Sequence, residues 1–242
     1  MLKFSTDLVN FLQAGGSFKE AFEDAILTIY SGSQPANADA SPTGTKLVEI
    51  TLNGGSFSYG TDYSLPQIDE VTVTAASSGT NTVTIDSIDI SDTTDGTETV
   101  DDIAKRLVRK IETNKNTAQK VIPIYIGSGK FVLRSKLAGE SYTLSVTGNL
   151  STSSVQSHSR ANGLHFGSVS SGQLDKESGT WQGDGLTDGT AGWFRLQGKI
   201  STLVIDGNVG TYGADLNLAS TNITSGNPVT IDTFSVTQPK SS

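Results

Sequence analysis

The side chains that could do chemistry in this 242-residue chain are few in kind: two histidines, no cysteine, and aspartates gathered in clusters. Asp184 and Asp188, with Glu177, lie close to Trp181 in KESGTWQGDGLTDGTAGWFR, and paired carboxylates beside an aromatic ring are the equipment of glycoside hydrolysis. The same Asp-Gly pairs are hairpin signals, which assigns these aspartates to turns with no catalytic duty and Gly183 to Gly189 to a turn-forming loop. His158 and His165 stand seven apart without HxH or HExxH spacing, so a metal site is not indicated. There is no G-x-S-x-G elbow, and GDGLTDG fits neither a phosphate loop nor G-x-G-x-x-G. No catalytic residue, cofactor or metal is expected from these patterns.

A second cluster, Asp86, Asp89, Asp92, Asp95, Glu98, Asp101 and Asp102, contains no basic residue. Calcium is the natural ligand for such a run, yet DISDTTDG spaces its carboxylates by three where an EF-hand loop needs D-x-D-x-D-G. A solvated strand end, a turn and a helix N-terminus account for most of these charges.

The elements that must position these groups follow from periodicity. In SFKEAFEDAI, Ser17 and Glu20 have capping-box spacing and Phe18, Phe22, Ala25 and Ile26 share a face, while Leu8, Phe11 and Leu12 mark a shorter segment before Gly15-Gly16. Residues 1–25 are thus expected to form an N-terminal helical arm, docked on its own domain or reaching a neighbouring subunit through Phe11, Phe18 and Phe22. From Ile26 the period becomes two: ILTIYSG and KLVEITL are strands around a Pro, Asn and Gly loop, and EVTVTAA and NTVTIDSIDI form a hairpin across SSGT. A bulge near Asp86-Ser87 would bring Val83, Ile85, Ile88 and Ile90 to one face. TVDDIAKRLVRKIETN is a helix capped by Thr99 with one apolar stripe, and three strands follow, giving a small sheet covered by one helix. After Arg160, LHFGSV, AGWFRLQGK, STLVIDG, ADLNLAS and PVTIDTFSVTQ return to strands.

The fold expected is mostly β: a discontinuous β-sandwich, immunoglobulin-like or jelly-roll-like, made of residues 26–60 and 161–242, with an inserted α+β domain at 61–160. With 17 Lys and Arg against 25 Asp and Glu the chain lacks the basic surplus that nucleic acid requires. It has no apolar run long enough to span a membrane and no visible secretory signal, so a soluble protein made in a cytoplasm is expected.

Three blocks of the β domain resemble a group of tailed-bacteriophage virion proteins: ILTIYSGSQPANADASPTGTKLVEITL, then NGLHFGSVSSGQLDKESGTWQGDGLTDGTAGWFRLQGK, then DGNVGTYGADLNLASTNITSGNPVTIDTFSVTQP. The region between 61 and about 160 is similar to a module of phage tail and fibre proteins. The resemblance implies a non-enzymatic structural component of the virion, assembled in several copies on the head, neck or tail, with other virion proteins as partners. It carries no catalytic residue. The alternative is a receptor- or glycan-binding module in which Trp181 and Tyr212 stack on host surface sugars above Asp184 and Asp188; Trp193, Phe194 and Arg195 read as core or interface.

Overall fold

The computed structural model describes residues 1–170 and 172–237, so Gln238, the end of the expected last strand, lies outside the described residues. The chain divides into two compact units, residues 1–63 with 161–242, and residues 64–160. The first part contributes β1 (Lys3–Phe4), α1 (Thr6–Gln13), α2 (Phe18–Ala21), β2 (Ile26–Ser31) and β3 (Lys46–Leu52). The inner unit holds β4 (Ile68–Val73), β5 (Gly79–Ile85), β6 (Ile88–Thr94), α3 (Val100–Thr113), β7 (Val121–Gly127), β8 (Lys130–Ser135), β9 (Leu144–Thr147) and β10 (Leu150–Gln156). The chain returns with β11 (Phe166–Ser170), β12 (Gln173–Lys176), β13 (Trp181–Asp184), β14 (Gly189–Gln197), β15 (Val204–Gly210), β16 (Leu216–Asn217), β17 (Asn222–Ile223), β18 (Pro228–Ile231) and β19 (Ser235–Thr237). Among the described residues, no helix is long and apolar enough to cross a membrane.

The discontinuous unit is a lopsided sandwich. Its large sheet runs β1-β15-β14-β2-β3-β13-β18, with β16 and β17 on its margins, and the small one runs β11-β12-β19. Leu27, Ile29, Ile50, Phe194 and Leu196 from the large sheet share one core with Phe166 and Leu174 from the small one. Strand β14 is central and buried on both faces, because Phe194 and Leu196 enter that core while Trp193 and Arg195 turn to the other side of the sheet.

The N-terminal segment belongs to this core. Strand β1 pairs with β15, Ser5 caps α1 by accepting from Leu8 N–H, and Leu8 is buried. The capping box of Ser17 and Glu20 forms, but α2 is a single turn and does not continue to Ile26. Asp24 adopts φ 54°, and Ala25 exchanges both backbone hydrogen bonds with Leu164, so tertiary pairing overrides the helical stripe.

The inner unit has two sheets, where one was expected: β10-β4-β8-β7 and β6-β5-β9. Helix α3, with the capping box of Thr99 and Asp102, buries Ile103, Leu107 and Ile111 in a core that includes Val71, Phe131 and Leu133 from one sheet and Val83, Ile85 and Ile90 from the other. EVTVTAA and NTVTIDSIDI do not form a hairpin, since β4 and β5 lie in different sheets. Nor is there a bulge at Asp86-Ser87. Both residues have positive φ, 48° and 67°, and make the two-residue turn of a β5–β6 hairpin, in which the pairs Val83–Ile90 and Ile85–Ile88 place all four side chains on one face.

Candidate interaction surface

The structure separates the aromatic candidates from the acidic ones. Trp181 is 0% exposed, paired through β13 with Leu52 and Ile231 and held 5.6 Å from the Phe166 ring and 5.5 Å from Phe234. It is a core residue, so it offers no face for a sugar to stack on, and that expectation is corrected. Phe22 is likewise buried completely and is no surface residue. Phe18 is half-buried and joins the exposed Phe4, at 5.7 Å, to Phe22, at 6.0 Å, so an aromatic series runs from the surface into the core. Phe11 rests on the core in part and lies over Gly16, where a Cβ would meet its ring at 2.3 Å. The arm is therefore docked on its own unit. Met1, Leu2, Phe4 and Val9 are its exposed large apolar side chains.

Asp184 and Asp188 are exposed at the ends of a tightly tied loop. Leu186 N–H donates to Leu47 O at 2.7 Å, Gly185 N–H to Asn227 O at 2.9 Å, and Ser225 N–H to the Asp188 carboxylate at 2.8 Å. The glycines serve close approach here, not reversal of the chain. Gly183 lies in strand β13, where a Cβ would sit 1.8 Å from Glu49 O, and at Gly185 a Cβ would sit 2.3 Å from Thr224 O. Between the two carboxylates Leu186 is 52% exposed. Tyr212 is 96% exposed at the tip of the loop between β15 and β16, which Asn208 and Asp215 brace by reciprocal side chain to backbone hydrogen bonds.

The loop of residues 32–45 covers the second face of β14. Trp193 Nε1 donates to Thr43 O, and the Trp193 ring stacks on Tyr30 at 4.5 Å. Arg195 donates through Nε and Nη2 to the Asp206 carboxylate at 2.8 and 2.7 Å and through Nη2 to Ala38 O and Ala40 O. Burial pushes the Asp206 carboxyl above the usual carboxylate range against the pull of that guanidinium fork.

Within the acidic run Asp101 and Asp102 stand in the first turn of α3 and Asp89 and Asp95 are exposed, as expected, but Asp92 is internal. Asp92 is almost fully buried and takes Arg106 Nη2 at 2.8 Å and Lys110 Nζ at 2.7 Å. Burial acts to raise its pKa, but these hydrogen bonds prevail and hold it below its ordinary value. Asp86, also lowered against burial, binds Lys120 and Thr143 N–H; Glu98 binds Arg106; and Asp101, lowered by the Tyr125 hydroxyl, accepts from Gly129 N–H. The cations come from α3 and the turn after it, so nothing in the run itself announced them. Among the described residues no group of three or more acidic or histidine side chains is arranged to hold a metal. His165 is buried with Nε2 3.0 Å from Asp24, and His158 is exposed.

No protein-family model matches the chain, and no curated protein matches it significantly. Two surface features escaped sequence reasoning: the exposed Leu186, hidden in a stretch dominated by glycine signals, and Ile122, Ile124 and Ile126 on β7, which are 39, 45 and 51% exposed. The second was legible in principle. VIPIYIG is apolar at every position before its glycine, so one face of that strand had to face out if it lay in a one-sided sheet.

Proposed function

We propose that the chain is a non-enzymatic structural subunit of a tailed-bacteriophage virion, assembling in multiple copies with itself and with other virion proteins. The observation that carries this reading is apolar surface held on rigid hydrogen-bonded elements: Leu186 on the tied 184–188 loop, the β7 isoleucines, and Phe4 in β1 with Leu2 before it. Apolar side chains fixed outward at no gain to their own fold are what a protein partner covers. The three sequence blocks that resemble virion proteins all fall in the discontinuous unit, which supports placing the shared scaffold there and the variable element in the inner unit. The glycan reading, once Trp181 is assigned to the core, rests on Tyr212 alone.

Mass spectrometry of particles purified from an infected culture tests the proposal directly. The protein is expected at a fixed multiple of a tail or head component; its absence from washed particles overturns the reading. A glycan array scored for wild type and Tyr212→Ala tests the second reading, and binding lost on that substitution would favour it.

A further inference from the structure

The outer face of the β10-β4-β8-β7 sheet is uncovered within its own unit, since α3 occupies the inner one. Alternation along β7 and β8 puts Ile122, Ile124 and Ile126 on that outer face beside Val132 and Arg134, with Ile122 opposite Arg134 and Ile124 opposite Val132. Lys136 follows immediately. Neither Arg134 nor Lys136 has an ion-pair partner among the described residues, whereas the carboxylates nearby are spent, Glu70 on Lys130 and Asp86 on Lys120. The result is an apolar stripe ending in two unpaired cations. The free edge of β7 is closed to strand addition, because Pro123 has no N–H and the Val121 N–H already donates to Thr117 O at 2.9 Å. Whatever binds here binds on the face.

The complementary shape is on the other unit. In Asp184-Gly185-Leu186-Thr187-Asp188 an exposed leucine stands between two exposed carboxylates, on a loop whose backbone is fixed by β3 and the 224–227 turn. That unit carries 14 acidic against 7 basic residues, while the inner unit carries 11 against 10. We infer that the 184–188 loop of one copy docks on the Ile122–Ile126 face of a second copy, Leu186 seating on the isoleucine stripe and Asp184 and Asp188 meeting Arg134 and Lys136. Two different patches meet, so the contact is heterologous and propagates into a ring or a filament. A loop already held in place loses little entropy on docking. The contact is small, so it depends on repetition and on electrostatic steering between an acidic knob and a basic socket. It deepens the assembly reading and rests on it.

Sedimentation velocity of the full chain over about 1–200 µM, at ~50 mM and ~500 mM salt, tests this, because screened charges weaken a steered contact. Wild type is expected to associate with concentration, with a dissociation constant raised about fivefold or more at the higher salt. Ile124→Asp removes the socket and Leu186→Ser the knob, and each alone is expected to remain monomeric with an unchanged circular dichroism spectrum. Mixed one to one, the two variants are expected to form a dimer and nothing larger, since only one contact remains available. If Ile124→Asp fails to fold, Ile126→Asp on the same stripe replaces it. A wild type monomeric throughout, a Leu186→Ser variant that associates like wild type, or a mixture that grows beyond dimers overturns the inference. The second of these leaves the assembly reading standing, and absence from purified particles overturns that reading whatever sedimentation shows.

Discussion

Replacing Arg195 with Met tests the organisation of the second face of β14. The guanidinium is almost fully buried, donates two hydrogen bonds to Asp206, which is 0% exposed, and caps two carbonyls of the 32–45 loop. Met keeps most of the side-chain volume but leaves an uncompensated buried carboxylate, a defect that costs about 3–5 kcal/mol. For a unit of this size roughly 3 °C is lost per kcal/mol, so its melting temperature should fall by about 10–15 °C. Arg195→Met with Asp206→Leu removes both charges and should recover most of the loss, because a buried ion pair contributes little net stability over well-packed apolar groups. Both tryptophans, Trp181 and Trp193, lie in the discontinuous unit, so tryptophan emission reports its unfolding without interference from the inner unit. Thermal and urea melts of the two variants followed at that emission decide the matter. A single substitution costing under about 1 kcal/mol, or a double variant no more stable than the single one, would refute an obligatory Arg195–Asp206 clasp.

The inner unit should be the acid-sensitive one. Its Asp86, Asp92, Asp101 and Asp102 have pKa values lowered in the folded state, so their stabilisation is fully present above the unfolded carboxylate range, begins to fade near about pH 4 and is lost as pH falls through the lower folded values; far-ultraviolet dichroism should begin to change at a higher pH than tryptophan emission, and coincident transitions would contradict this. Asp92→Ala should cost the same unit about 1–3 kcal/mol, less than the Arg195 change because Arg106 and Lys110 are partly exposed and regain water. Gly183→Ala should destabilise the discontinuous unit by more than about 2 kcal/mol, through the clash with Glu49 O, whereas Gly226→Ala, with open space and φ 77°, should cost about 1 kcal/mol. Millimolar calcium should leave both transitions unmoved; a rise of several degrees in the inner unit would mean that the acidic run binds the ion.

Local signals decided the parts of this molecule that depend on neighbours in sequence. The capping boxes at Ser17 and Thr99, the apolar stripe of α3 and the alternation of β2, β3 and β14 are properties of a few adjacent residues, and each element formed where its pattern lay. Fold class followed from composition for the same reason: many short alternating runs separated by turn residues leave a mostly β chain as the way to bury them.

What sequence left open was decided by partners distant in the chain. The residue types in FEDAI suit a helix, yet Leu164, more than a hundred residues later, takes Ala25 into a bridge and ends it. Asp86 and Ser87 look alike as a bulge or a turn, and only the registration of Ile88 and Ile90 against Ile85 and Val83 selects the turn. A tryptophan beside aspartates has the composition of a binding site, but Trp181 faces Phe166 and Phe234 because the small sheet closes over it, leaving the aspartates outside. Exposure is a property of the folded surface. Which apolar residues remain uncovered, Leu186 and the β7 isoleucines among them, could be fixed only once every sheet had chosen the face it buries.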